Sequence, residues 1–244
     1  MEKTVLFAGK EYPAGSAFAS AAINHNRSTV ITVPFATEKT EEIIDSPDIT
    51  TVVWNKSSSV SARSVVLQAE NVYQRLDEAV LVFDTAWFAS TYNSLTPELC
   101  SRGVDAMISG YLYLSMELVA RFTKLKHGTL IFMLKGAPGI ADSTGSSVFR
   151  GDNSGLPAGI LPSSAEAMFK ALAESTAASC ASNEDIRVLL VRGEYDTSDS
   201  LFAGWMFEYI DTLPPGKGKH DIRHAVQWLK MGARQSTGFS LFRK

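Results

Sequence analysis

Short runs rich in Val, Ile, Leu and Phe alternate along the chain with longer stretches whose apolar residues recur at helical spacing. The strand-like runs are TVLFA (4–8), STVITV (28–33), DITTVVW (48–54), AVLVF (79–83), GTLIFML (128–134) and IRVLLV (186–191). Several are apolar at nearly every position, the pattern of strands covered by helices on both faces. Helical spacing fills 15–25, 60–76, 97–125 and 163–181. Such alternation predicts βαβ units with right-handed crossovers, hence an α/β protein with a parallel sheet.

Local signals punctuate this pattern. Thr96-Pro97-Glu98 supplies an N-cap, a proline for the first turn and an acid near the positive end of a helix dipole. Ser163 or Ser164 is expected to cap the next helix. Between Gly136 and Leu161 the composition shifts to Gly, Ser, Asp, Asn and Pro, which predicts a long loop or insertion over 137–161. A loop of that length inside a compact domain is usually functional or mobile. No internal repeat is visible.

Composition excludes several classes of function. With 244 residues, 45% of them hydrophobic, the chain can bury one core and is expected to be a single domain, 1–244. A net charge of -3 with scattered Lys and Arg gives no basic field, so nucleic acid is not an expected partner. No apolar run reaches the length of about 18 residues needed to span a membrane. The chain also enters its first strand directly after Met1-Glu2-Lys3, so a cytoplasmic protein is expected. Cys100 and Cys180 lack metal-type spacing and are expected to be free thiols. His220 and His224 share helical spacing, but no cysteine or carboxylate cluster joins them, so no metal is expected. Gly145-Ser146-Ser147 lies in the long loop without the strand-to-helix setting of a hydrolase nucleophile.

One turn carries candidate chemistry. The first strand is followed by Gly9-Lys10-Glu11-Tyr12-Pro13-Ala14-Gly15 and then by a helical stretch. Strand, glycine turn and helix together can bind a pyrophosphate, because small residues let backbone N–H groups approach and the helix start adds partial positive charge. The same residues also suit a tight turn that only packs a helix on a strand. Pro13 lacks an N–H and fixes φ, so a donor is lost and the turn must change shape. The second strand ends in Val33-Pro34-Phe35 rather than in a charged residue for a ribose or its phosphate; the first charges beyond are Glu38 and Lys39.

From end to end the chain resembles the short-chain dehydrogenases/reductases. Ala8, Gly9, Pro13 and Gly15 stand against the family's Thr-Gly-x-x-x-Gly-x-Gly, and Phe83-Asp84-Thr85-Ala86 against its Asn-Asn-Ala-Gly turn. Residues 105–136 resemble the long fourth helix and fifth strand. Arg192, Gly193 and Thr197 stand against Pro-Gly-x-x-x-Thr after the sixth strand. Residues 221–242 resemble a closing helix, a Thr237-Gly238 turn and a seventh strand. The resemblance implies a single Rossmann-type, doubly wound domain with a mainly parallel seven-stranded sheet. It further implies an NAD or NADP cleft formed by Gly9, Pro13, Gly15, Asp84, Gly193 and Thr197. A homo-oligomer, dimer or tetramer, built on the fourth helix is implied as well; Tyr111, Leu112, Tyr113, Leu114, Met116, Leu118 and Val119 make that helix apolar over a wide arc, which suits either a subunit contact or deep burial.

The same resemblance implies loss at the catalytic positions. The family's helix Asn aligns with Met107, its Ser with Lys135, its Tyr with Pro162 and its Lys with Glu166. A phenol titrates near pH 10 and serves as an acid/base at neutral pH only beside a cation that lowers its pKa. Proline cannot transfer a proton, and Glu166 brings negative charge where positive charge is needed. None of the seven tyrosines has a lysine four residues on. Glu166 and Lys170 are expected to form an exposed i, i+4 ion pair in preference to a replacement acid/base.

These residues lead first to a degenerate dehydrogenase-like protein with no catalytic residues, an inherited and weakened dinucleotide cleft, and a role in binding a nucleotide, small molecule or protein. The alternative is an NAD(P)-dependent oxidoreductase of carbonyl or alcohol substrates, whose proton donor would be Lys135, Glu166, Asp142 or Asp152. A third reading is an oligomeric scaffold.

Overall fold

The near-continuous apolar runs form the middle of a parallel sheet, because only strands shielded on both faces can be apolar throughout. In the computed structural model, residues 2–35, 49–92, 96–136, 159–213 and 225–233 are described. The strands are β1 (Lys3–Ala8), β2 (Arg27–Pro34), β3 (Ile49–Trp54), β4 (Glu78–Asp84), β5 (Thr129–Lys135), β6 (Arg187–Gly193) and β7 (Trp228–Lys230). They pair in the order β3-β2-β1-β4-β5-β6-β7, and every pairing is parallel. The sheet is therefore doubly wound, of Rossmann type, with its topological switch between β1 and β4. The first six strands lie within one or two residues of the positions expected from sequence.

Alternation along each strand divides the core into two layers. On β4, Ala79, Leu81 and Phe83 face one layer while Val80 and Val82 face the other. The first layer is closed by α2 (Ser59–Tyr73), α5 (Gly110–Leu125) and α6 (Ile160–Ser179), the second by α1 (Ser16–Asn24) and α7 (Asp199–Asp211). Two shorter helices, α3 (Thr85–Thr91) and α4 (Pro97–Val104), follow β4. At the opposite end of the sheet, buried Arg27 donates to both oxygens of buried Glu78 at 2.6 and 3.1 Å and to Asp211 at 2.7 Å. This ties β2, β4 and α7 together.

Several expectations are corrected. The single helix expected over 97–125 is α4, a π-turn at Asp105–Ser109, and α5. The π-turn inserts an extra residue where the backbone of Gly110 passes the Lys56 stem so closely that a Cβ there would lie 2.8 Å from Lys56 Cβ. The Thr96 cap is present, its hydroxyl accepting from Leu99 N at 3.2 Å. Helix α6 starts at Ile160 with Gly159 as its N-cap, so Ser163 and Ser164 lie inside the helix and the loop expected over 137–161 ends before Ile160. Residues 137–158 of that loop are outside the described residues, as are Asp142 and Asp152.

The segment expected to be the closing helix contains β7. The open edge of β6 offers a row of backbone groups, and Trp228, Leu229 and Lys230 pair with Leu190, Val191 and Arg192. Thr237-Gly238, the strand expected after it, and His220 and His224 are outside the described residues. The apolar segment around Trp205–Ile210 is part of α7, with Met206, Phe207 and Ile210 buried in the second layer. In α5, Tyr111, Leu114 and Leu118 are buried, while Leu112 is 42% and Met116 63% exposed. Its apolar arc thus serves the core and leaves a second face to solvent.

Candidate functional site

The carboxyl ends of β1 and β4 diverge at the switch point, where an open α/β sheet has its ligand crevice. Here that crevice holds charge. Lys10, the second residue after β1, reaches across the sheet: its Nζ donates to Asp84 at 2.8 Å and to Asp199 at 2.6 Å. Asp84 ends β4 and stands in register beside Lys135, the last residue of β5. Lys135 Nζ donates to Asp199 at 2.7 Å and lies 3.5 Å from Asp84. Asp199 opens α7, where its charge also meets the positive end of the helix dipole. The side chains of these two lysines and two aspartates are between 4 and 14% exposed, so the network is close to fully desolvated.

Each buried charge needs its partner. Burial alone would raise the Asp84 pKa, but the hydrogen bond and charge of Lys10, the Trp87 N–H and the Lys135 charge outweigh it and hold the carboxyl below the usual range. Burial would likewise lower the Lys10 pKa, and the hydrogen bonds and charges of Asp199 and Asp84 hold it above the ordinary lysine value. Asp84 also caps α3, since its other oxygen accepts from Trp87 N at 3.0 Å. Thr85 and Ala86, expected in a turn, are therefore the first residues of that helix.

The glycine turn is closed in on itself. Gly9 has φ of +110°, and a Cβ there would lie 2.1 Å from the Val82 carbonyl and 2.4 Å from the Tyr111 hydroxyl. A glycine is required at this position by the packing of β1 on β4 and α5. The N–H groups of Tyr12, Gly15 and Ser16 are bonded to the carbonyls of Thr32, Glu11 and Pro13. Glu11, buried, pairs with Lys56 at 2.6 Å. Thr197 is bonded within its own turn, N–H to Glu194 carbonyl at 3.1 Å, and Gly193 pairs in register with Lys135. Of the residues expected to hold a cofactor, Asp84 and Gly193 are thus brought beside Lys135. Lys10 and Asp199 complete that cluster and were not singled out from the sequence. Lys10 sits next to Gly9, but nothing local indicates that its side chain crosses to a residue 189 positions away.

The residues expected at catalytic positions, Met107, Lys135, Pro162 and Glu166, are all buried. Met107 lies in the π-turn and Pro162 in the first turn of α6. Glu166 corrects the expectation of an exposed ion pair: it is 4% exposed, and only its partner Lys170 reaches solvent. One carboxylate oxygen accepts from Lys170 at 2.7 Å and the other from the Thr85 hydroxyl at 2.7 Å. Both oxygens are engaged, and the Lys135 ammonium is held by Asp199. Among the described residues no group of three or more His, Cys, Asp or Glu is placed to hold a metal.

Beside the charged network, across Glu11 and Lys56, lies a pocket of about 410 Å³. Its floor is Trp54, Lys56 and Phe88, and its rim includes Phe35, Trp87, Tyr92, Arg102 and Asp105. The Lys56 ammonium lies 5.1, 5.9 and 5.6 Å from the ring centres of Trp54, Trp87 and Phe88, a cation–π arrangement. The sequence signal for this pocket was the aromatic residue ending β3 and those following β4.

Comparison with solved structures agrees with the topology. A short chain dehydrogenase from Mycobacterium smegmatis matches over 96% of this chain and 93% of its own, with a TM-score of 0.63 and 12% identity. ElxO with NADP bound matches over 80% of this chain and 74% of its own, with a TM-score of 0.58 and 16% identity. A short-chain dehydrogenase from Streptomyces avermitilis matches over 79% of this chain and 65% of its own, with a TM-score of 0.56 and 15% identity. No protein-family model and no curated protein matches the sequence. The chain has the fold of these short-chain dehydrogenases, and ElxO, which shares it, holds NADP.

The residues at this crevice do not fit the dinucleotide that the fold implies. A pyrophosphate needs free N–H donors at the first turn, backed by a helix N-terminus, and is repelled by nearby carboxylates. Here Pro13 offers no N–H, three turn N–H groups are bonded internally, and both lysines are already neutralised by carboxylates. Those two carboxylates would repel a phosphate.

Proposed function

We propose that this chain is a non-catalytic member of the dehydrogenase fold class that acts by binding, with its dinucleotide crevice closed by its own side chains. The observation that carries this reading is Lys10 bridging Asp84 and Asp199, which sets a self-neutralised ion network across the switch point. The loss of a proton-transfer group at Pro162 and the engagement of both Glu166 oxygens support it. The exposed apolar face at Leu112 and Met116 of α5 supports a homo-oligomer built on that helix. Calorimetric titration with NADPH and NADH tests the reading. No saturable heat up to millimolar nucleotide is expected; a micromolar dissociation constant for either would overturn it.

A further inference from the structure

A second hollow lies between α2 and α5, which pack side by side over the first layer. Bounded by Val66 and Leu67 of α2 and Ala120 of α5, it encloses about 280 Å³. That volume falls just short of the roughly 300–1,000 Å³ of small-molecule pockets, and suits the side chains of another polypeptide. Ala120 ends in a methyl, so the α5 wall is low at its centre. On the α2 wall Leu67 is 37% exposed, and Val60, seven residues earlier and so on the same face of the helix, is 77% exposed. Apolar residues two turns apart beside a groove between helices match the apolar stripe of an amphipathic helix.

Charge selects the partner. Arg121, on the α5 wall, is neutralised by Glu70 of α2. Arg63 and Lys124 line the two ends of the groove, are exposed, and are in no ion pair among the described residues. The same holds for Lys126, the C-cap of α5. Glu117 is the one carboxylate of the lining, and it too is in no ion pair among the described residues. Three uncompensated cations against one carboxylate make this face positive on a chain whose net charge is -3. It therefore attracts an acidic partner that the rest of the surface repels. A membrane surface would leave the hollow between the helices unfilled, whereas a helix has side chains to place in it.

We infer that the groove between α2 and α5 docks an acidic amphipathic helix of a partner protein, whose apolar side chains enter between Leu67 and Ala120 and whose carboxylates meet Arg63 and Lys124. No residue of this groove belongs to the ion network of the crevice, so the inference goes beyond the closed crevice and either can fail alone. It is also separate from the α5 face at Leu112. Leu112 and Arg121 are nine residues apart, two and a half turns, which puts them on opposite flanks of the helix.

The probe is a fluorescein-labelled helical peptide built from three repeats of Leu-Glu-Glu-Leu-Ala-Glu-Ala, titrated with the full-length chain and followed by fluorescence anisotropy. Saturable binding with a micromolar dissociation constant is expected, weakening by at least about tenfold when salt is raised from about 0.05 to 0.5 M. The double variant Arg63→Glu, Lys124→Glu should bind at least about tenfold more weakly, and Leu67→Asn should weaken binding as well. All three positions are exposed, and circular dichroism checks that the variants fold. The same peptide with lysine in place of glutamate should not bind. No saturable binding, equal binding of the lysine peptide, or binding unchanged in the double variant overturns the inference. So does sedimentation with phosphatidylserine vesicles that the double variant abolishes while the acidic peptide fails to bind, which assigns the groove to a lipid surface. Saturable NADPH binding would overturn the closed crevice and leave this inference standing.

Discussion

Lys10 Nζ lies 2.6 Å from a carboxylate oxygen of Asp199, so the second residue after the first strand is tied to the first residue of α7. Three strand ends and α7 are clasped through this contact and its neighbours Asp84 and Lys135. Ion pairs this deeply buried add little net stability compared with apolar packing, but a broken one leaves a desolvated charge without compensation.

Asp199→Ala is therefore expected to destabilise the fold by about 3–5 kcal/mol, because both Lys10 and Lys135 lose a carboxylate. Urea unfolding followed by circular dichroism measures this. A loss below about 1 kcal/mol would mean that water reaches the lysines and replaces the partner.

The same network makes stability depend on pH at both ends. Asp84 has a folded-state pKa below its unfolded one, so its contribution is complete above about pH 4 and is lost as pH falls through the folded value. Lys10 has a raised folded-state pKa, so its contribution is complete below about pH 10.4 and is lost as pH rises through the folded value. Urea midpoints measured across pH should show a plateau between these limits. Lys10→Met should flatten the alkaline limb relative to wild type.

Glu166 and Lys170 should both respond to truncation. Glu166→Ala leaves the Thr85 hydroxyl without its buried acceptor and is expected to cost about 2–3 kcal/mol. Lys170→Ala leaves the buried Glu166 carboxylate without its cation and is expected to cost about 2–3 kcal/mol as well, although the Lys170 side chain is itself 40% exposed. A loss below about 1 kcal/mol for Lys170→Ala in urea denaturation would mean that water takes the place of its ammonium.

Two glycines that look equivalent in the sequence should separate as well. Gly9→Ala forces a side chain into left-handed backbone and against the Val82 carbonyl, and a loss of more than about 3 kcal/mol is expected. Gly193→Ala meets only the Phe202 ring at 3.1 Å, which can shift, so about 1.5 kcal/mol or less is expected. Denaturant midpoints of the two variants give the comparison.

Met116→Lys places a charge in the exposed apolar face of α5 and is expected to shift the chain from oligomer to monomer with its circular dichroism unchanged. Light scattering after gel filtration measures the mass. A monomeric wild-type chain would rule out this surface as a self-contact.

The sequence by itself determined the strands, because strands shielded on both faces must be apolar along their whole length, and AVLVF and GTLIFML are. It also located the helix starting at Pro97 through cap chemistry confined to neighbouring residues. It placed β7 poorly, since three residues paired to an open edge draw their stability from β6 and not from their own pattern. It read Glu166 and Lys170 correctly as a pair and wrongly as exposed, because i, i+4 spacing fixes which side chains meet but not what covers them. Only the tertiary structure decided the state of the crevice. Lys10, Asp84, Lys135 and Asp199 are scattered over the chain and carry no shared motif. They become one neutral cluster because parallel strands end side by side, and charges brought together out of water must pair.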